Sequence, residues 1–209
     1  MRPILLYFVK YPEPGRVKTR LAKTMGTERA AKIYRELAEA NLKIISSLSP
    51  QPFSIVITFA PPEAQKKIKT WLSGPYDYWP QTGNHLGERL QNAFESAFLR
   101  GAQKVVALGS DTLDLEAAHL LEAYEQLESC DVVLGPAEDG GYYLIGSSRF
   151  LPDLYVDIPW STSAVLDSTL KWIKKQKLTH FLLKPLNDLD DMTSLEKRRT
   201  LDETFQFKE

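Results

Sequence analysis

The sequence predicts a three-layer α/β protein in which a mostly parallel sheet lies between two sets of helices. Short, continuous apolar runs recur along the chain, as in strands buried on both faces of a parallel sheet. Between them lie segments with apolar residues at three- and four-residue steps, the pattern of helices that cover such a sheet. The 209 residues suffice for one domain with a proper core. No repeat, low-complexity tract or shift in composition divides residues 1–209, so a single domain is expected.

Ile4 to Val9 is the first apolar run, and the Pro/Gly-rich stretch Tyr11 to Gly15 is the loop after it. From Thr27 the pattern turns helical, through Ala30, Ile33, Tyr34, Leu37, Ala38, Asn41, Leu42 and Ile45. Thr27 is the expected cap of that helix, with Glu28 well placed in its first turn. Phe53 to Phe59 reads as a strand and Pro62 to Trp71 as a helix with proline near its start. A weaker strand, Tyr76 to Trp79, precedes a helix over Leu86 to Leu99. Val105 to Leu108 is a strand, Leu115 to Gln126 a helix with Asp114 as its expected cap, and Val132 to Leu134 a strand. Tyr142 to Ile145 continues the sheet, and Ala164 to Lys175 is helical. A late strand, His180 to Leu183, and a final helix from Ser194 to about Leu201 complete the series.

Lys and Arg total 26 against 27 for Asp and Glu, so the chain lacks the basic excess of a general nucleic-acid binder. Cys130 is the only cysteine, which excludes an internal disulfide and argues against a cysteine-held zinc site. The apolar run at Ile4 is far too short for a membrane span and lacks the features of a secretory signal, so a cytoplasmic location is expected. His85, His119 and His180 form no recognisable metal pair; structural roles are expected for them, although His85, beside Gly83 and Gly87, could reach a pocket.

Ligands of doubly wound sheets bind outside the carboxyl ends of the strands, which directs attention to the loops after Val9, Leu108 and Leu134. The first carries Lys10, Arg16, Lys18 and Arg20 around Pro12, Pro14 and Gly15. Lysine point charges and arginine forks suit a diphosphate, while the prolines and glycine shape the loop. The plainer reading is a solvated basic loop. The second loop, Gly109-Ser110-Asp111, offers a carboxylate where Mg²⁺ or Mn²⁺ would bind with phosphate oxygens, although Asp111 could equally cap the next helix. Asp188, Asp190 and Asp191 are candidate second ligands, and an extended chain would put Asp188 and Asp190 on one side. The third loop, Gly135 to Tyr143, contains Asp139, a candidate base or acceptor-orienting residue. The same Asp-Gly chemistry would also build an ordinary β-hairpin.

Taken together, the motifs resemble a bacterial family of GT-A-type transferases known as selenodomain-associated or arsenosugar-biosynthesis glycosyltransferases. They are Phe8 to Leu21, Gln81-Thr82-Gly83 with Leu86-Gly87-Glu88-Arg89-Leu90, Gly109-Ser110-Asp111, Gly135 to Tyr143, and Trp160-Ser161-Thr162. Guanylyltransferases of the molybdenum-cofactor and phospholactate pathways are more distant relatives. The resemblance implies a nucleotide-diphospho-sugar transferase fold. It implies that Lys18 and Arg20 hold the nucleotide or diphosphate, aided by Lys10, Pro12, Gly15 and Ser110, and that Gln81, Gly83 and Arg89 belong to the pocket. It makes Asp111 the metal ligand and Asp190, within a late Asp-Leu-Asp motif, its partner. Thr112-Leu113 stands where related families often have proline, and Asp191 where they usually have threonine.

The expected function is metal-dependent transfer of a sugar from a nucleoside-diphosphate sugar to a small-molecule acceptor, with Mg²⁺ or Mn²⁺ as cofactor and Asp139, Lys18 and Arg20 as catalytic candidates. Nucleotidyl transfer with release of pyrophosphate is the alternative reaction, and non-catalytic nucleotide binding a third reading. The expected partners are a nucleotide or sugar nucleotide and the acceptor, without nucleic acid or a membrane span. A homodimer is compatible with the sequence.

Overall fold

The computed structural model describes residues 2–189. Seven strands form one sheet: β1 (Ile4–Lys10), β2 (Ser54–Ala60), β3 (Asp77–Pro80), β4 (Val105–Gly109), β5 (Val132–Pro136), β6 (Tyr142–Ser147) and β7 (His180–Leu182). Their order is β3-β2-β1-β4-β6-β5-β7. The pairs are parallel except those of β6, which runs against both β4 and β5. The helices are α1 (Thr19–Met25), α2 (Thr27–Ser46), α3 (Gln65–Trp71), α4 (Leu86–Leu99), α5 (Ala117–Gln126) and α6 (Val165–Lys175). None among the described residues is long and apolar enough to cross a membrane.

Alternation along the strands divides the core. Leu5, Tyr7 and Val9 face the side covered by Leu42 and Ile45 of α2, Ile68 of α3, and Leu120 and Ala123 of α5. Leu6, between them in sequence, faces the other side with Val56, Ala107 and Ile145, beneath Leu90 and Phe94 of α4 and Ile173 of α6. Each large apolar side chain fully buried this way contributes about 1.5–3 kcal/mol, so two covered faces make the sheet the stable centre of the chain.

Three local expectations change. Residues Thr19–Met25, of which Thr19 to Leu21 were expected within the phosphate loop, form α1, and Gly26 rather than Thr27 is the cap residue of α2. Thr27 instead donates its hydroxyl to Glu28 Oε2 at 2.9 Å. Asp114 does not cap α5. It takes φ 57, and a capping box between Glu116 and His119 starts the helix two residues later than expected, His119 Nδ1 accepting from Glu116 N at 3.0 Å. His85 is likewise a cap, accepting from Glu88 N at the start of α4. Cys130 is half-buried, and burial raises its thiol pKa. The expected helix from Ser194 lies outside the described residues.

Candidate functional site at the β1–β4 switch point

β1 lies inside the sheet, with β2 on one side and β4, the middle strand, on the other. The chain thus diverges at the carboxyl ends of β1 and β4, the place where doubly wound sheets open a crevice. A small apolar cluster fixes what stands on either side of it. Leu21 of α1 packs with Ala30, Ile33 and Leu37 of α2 and with Leu113 and Leu189. Leu21 lies three residues after Lys18, and Leu113 two after Asp111, so their burial holds the first and second loops face to face. Leu113 N also donates to Asn187 O at 2.7 Å, and Leu189 N to Asp111 O at 2.9 Å. The segment that carries Asp188 is thereby clamped, extended, against the Asp111 loop.

Lys18 and Asp111 meet directly. Lys18 Nζ donates to Asp111 Oδ2 at 2.7 Å, and the lysine side chain is 7% exposed while the aspartate side chain is 36% exposed. Lys18 caps α1 in the left-handed region, with φ 47 and ψ 47, a conformation disfavoured for a residue with a Cβ. Burial alone would raise the Asp111 carboxyl pKa. The Lys18 ammonium and its hydrogen bond, a backbone N–H and the charge of Lys10 outweigh it and hold the group below the usual carboxylate range.

Two residues absent from the sequence-based site hold this arrangement. Tyr34 accepts from Lys10 N at 2.8 Å and pairs with Ser110 Oγ at 2.8 Å, so one phenol joins the ends of β1 and β4. Burial pushes its pKa up to about 12, which keeps it a neutral hydrogen-bonding group. Two helical turns later, Asn41 Nδ2 donates to Thr112 O at 2.9 Å and Ser110 O at 3.4 Å. Ser110, expected at the phosphates, is buried and bonded to Tyr34 in this way.

A cleft of about 240 Å³ opens over the ends of β1 and β2, lined by Lys10, Tyr11, Glu13, Arg16, Gln81 and Arg89 among others, with Lys18 and Asp111 outside its lining. Gln81 also braces its floor, donating Nε2 to Val9 O at 3.2 Å and to Thr58 O at 3.0 Å. Arg89 Nε donates to Gly83 O at 3.1 Å. Gly83 takes φ 128, and a Cβ there would lie 2.7 Å from Glu88 Cβ and 3.0 Å from Arg89 N, so this turn requires glycine. Arg16 pairs with Glu13 at 3.3 Å. Pro12 and Gly15 shape the loop without lining the cleft. Arg20 stands exposed on α1, with no hydrogen bond or ion pair recorded among the described residues.

Asp139 lies at the same end of the sheet, because β6 runs antiparallel and its first residues adjoin the end of β4. Its Oδ1 accepts from Gly141 N at 2.9 Å within the turn that joins β5 to β6, so the hairpin reading describes what this side chain does in the fold. Asp190 and Asp191 lie outside the described residues. No group of three or more His, Cys, Asp or Glu side chains converges among the described residues. Asp111 nevertheless fits an oxygen-seeking ion that takes one or two carboxylates and completes its shell with phosphate and water. A Cβ on Gly109 would stand 3.3 Å from Asp111 Oδ1, 3.6 Å from Tyr143 O and 3.9 Å from Thr112 Oγ1, so glycine leaves three oxygens around open space.

Residues 45–162, more than half of the chain, match the family described as "Uncharacterized protein conserved in bacteria (DUF2064)". The chain belongs to this family. It is 34% identical to a protein of Desulfovibrio desulfuricans G20 assigned provisionally as a nucleotide-diphospho-sugar transferase, over 99% of this chain and 90% of that one, with a TM-score of 0.92. The 4-diphosphocytidyl-2C-methyl-D-erythritol synthase of Anaerococcus prevotii DSM 20548 superposes with a TM-score of 0.65 at 9% identity, over 96% of each chain. Glucosyl-3-phosphoglycerate synthase of Mycobacterium tuberculosis, solved with Mn²⁺, UDP and glucosyl-3-phosphoglycerate, superposes with a TM-score of 0.54 at 9% identity, over 90% of this chain and 71% of that one. At such identities the likeness is one of fold, and the fold of this DUF2064 member is that of the nucleotide-diphospho-sugar transferases. No curated protein matches it in sequence.

Proposed function

We propose that the protein is a metal-dependent glycosyltransferase that moves a sugar from a nucleoside-diphosphate sugar to a small-molecule acceptor. The observation that carries this reading is the meeting of Lys18 and Asp111 at 2.7 Å across the switch point, beside a cleft edged by Lys10, Arg16 and Arg89. A diphosphate needs closely placed cations on one side and a carboxylate able to share a metal on the other. The provisional assignment of the Desulfovibrio relative agrees with it.

In this reading Lys10, Lys18 and Arg89 bind and orient the donor's phosphates, and Gln81 and Gly83 keep the cleft open beside them. Arg20 reaches the phosphates from α1. Asp111 and, in the same proposal, Asp190 would hold Mg²⁺ or Mn²⁺, which would supply charge that stabilises the departing diphosphate. The acceptor hydroxyl forms a bond to the anomeric carbon while the bond from that carbon to the diphosphate oxygen breaks, its electron pair staying with the diphosphate. Asp139 takes the hydroxyl proton or orients the acceptor. Lys18, already against Asp111, is placed to meet the charge that develops on the leaving group.

Purified protein incubated with Mn²⁺ and a panel of sugar nucleotides should release nucleoside diphosphate, slowly to water and faster with an acceptor. Release of pyrophosphate from a nucleoside triphosphate and a sugar phosphate, with sugar nucleotides untouched, would establish nucleotidyl transfer instead. Silence in both assays from folded protein that still binds nucleotide would leave a binding protein.

A further inference from the structure

The carboxylate assigned to a divalent ion already holds a cation of the chain's own. The Lys18 ammonium sits on Asp111 Oδ2 at 2.7 Å and is almost wholly shielded from water. The other oxygen, Oδ1, is turned towards Gly109, whose added Cβ would lie 3.3 Å from it. A metal ion that approaches Asp111 therefore meets an ammonium already seated on one of its two oxygens. Lys18 is also fixed in place. Its left-handed backbone is locked between the Glu13–Arg16 turn and α1, and Leu21 anchors that helix to Leu113 and Leu189.

We propose that Lys18 is a resident counter-ion that makes metal and nucleotide binding mutually dependent: the metal ion displaces Lys18 from Asp111 only when a diphosphate is present to accept the ammonium. This rests on the reading of Asp111 as the metal ligand. A monovalent and a divalent cation sharing one carboxylate in a partly shielded site repel one another strongly. The diphosphate would add the negative charge that both cations need, leaving Asp111 to hold the metal while the ammonium turns to a phosphate oxygen. Without it, Lys18 and the metal compete for Oδ2. Such coupling is reciprocal: the factor by which nucleotide tightens metal binding is the factor by which metal tightens nucleotide binding.

The test is equilibrium dialysis of Mn²⁺ against the full chain, since metal chelated by free nucleotide is equal on both sides of the membrane. The probes are UDP, GDP, CDP and ADP in turn. Wild-type protein alone should retain little Mn²⁺, and retain it once its preferred diphosphate is added. Lys18→Met should bind one Mn²⁺ without nucleotide, on the order of 5–150-fold more tightly than wild type. Lys18→Gln, equally neutral, is the second variant should the first fail to fold, with circular dichroism checking both. Asp111→Asn should retain no Mn²⁺ in either condition. Equal Mn²⁺ affinity of wild type and the neutral variant, with Asp111→Asn inactive in binding, would overturn the competition while leaving the metal site in place. Absence of Mn²⁺ from every protein and condition, or unchanged binding by Asp111→Asn, would overturn the metal reading itself and this inference with it.

Discussion

Removing the hydroxyl of Tyr34 takes from Lys10 N–H and Ser110 Oγ the partner they share. Tyr34→Phe should cost about 1–3 kcal/mol, the penalty of leaving buried polar groups unpaired, and should weaken nucleotide binding by loosening both loops. Chemical denaturation gives the first number and a nucleotide titration the second; unchanged stability would show that the shared phenol contributes little. At this scale the sequence was most and least informative. Lys18 and Asp111 could be read because charged groups beside apolar strand ends are conspicuous. Tyr34 and Asn41 could not, because both occupy buried positions of an amphipathic helix and so look like core. Their partners are 76 and 71 positions away in the chain, a separation that only the folded arrangement closes. Gln81 was named for the pocket, but nothing in the sequence says that its amide also ties β1 to β2. Asp139 drew attention for its acidic, glycine-rich setting, and that setting is also what an Asp-Gly hairpin turn requires.

Packing between elements decides how firmly the two loops face each other. Leu21 is fully buried in the small cluster that joins α1, α2, Leu113 and Leu189. Leu21→Ala should destabilise the protein by about 2–5 kcal/mol. It should also reduce nucleotide affinity well beyond any effect on the sheet, since α1 carries Lys18 at its cap; normal affinity in a destabilised variant would separate the cluster from the site. At the opposite end of β5, Asp131 accepts from Thr179 N and Thr179 Oγ1, both at 2.9 Å, and from Arg149 at 3.0 Å. The Thr179 backbone N–H first, and the Thr179 hydroxyl and Arg149 with it, lower the Asp131 carboxyl pKa against a smaller effect of burial. A carboxyl whose pKa is depressed on folding stabilises the fold above its unfolded value of about 3.9 and loses that contribution as the pH falls through the folded value. The melting-temperature gap between wild type and Asp131→Asn should therefore be widest near neutrality and shrink below about pH 4; a gap independent of pH would count against it. The strands themselves were legible as apolar runs. The direction of β6 was not, because a buried strand has the same composition whichever way it points.

For the whole molecule, binding and folding share one equilibrium. A nucleotide that engages only the folded chain stabilises it by roughly 2.7 kcal/mol at a hundred times its dissociation constant. Sugar nucleotides of the right base should thus raise the melting temperature, more with Mn²⁺ than without. In Asp111→Asn the increment due to metal should vanish while any increment due to nucleotide alone persists. A metal increment that survives the substitution would move the ion elsewhere. The three-layer architecture followed from alternation of strands and helices, and that architecture directs attention to the loops at the strand ends. What the alternation did not contain was α1, too short at seven residues to announce a helical period inside a stretch rich in charge.

The reversed course of β6 has a bearing on how this architecture can diversify. Because the strand enters the sheet from the rim where β4 ends, its connection with β5 is a short hairpin at that rim rather than a crossover buried under a helix. Hairpin tips accept insertions with little entropic penalty. Gly140 is tied to the start of α6, its carbonyl accepting from Leu166 N at 2.9 Å, but lengthening at the exposed Glu138–Asp139 would add new side chains at the rim while the strand registers stayed as they are. Such a tip is where descendants of this scaffold could gain new surface without relearning how to fold.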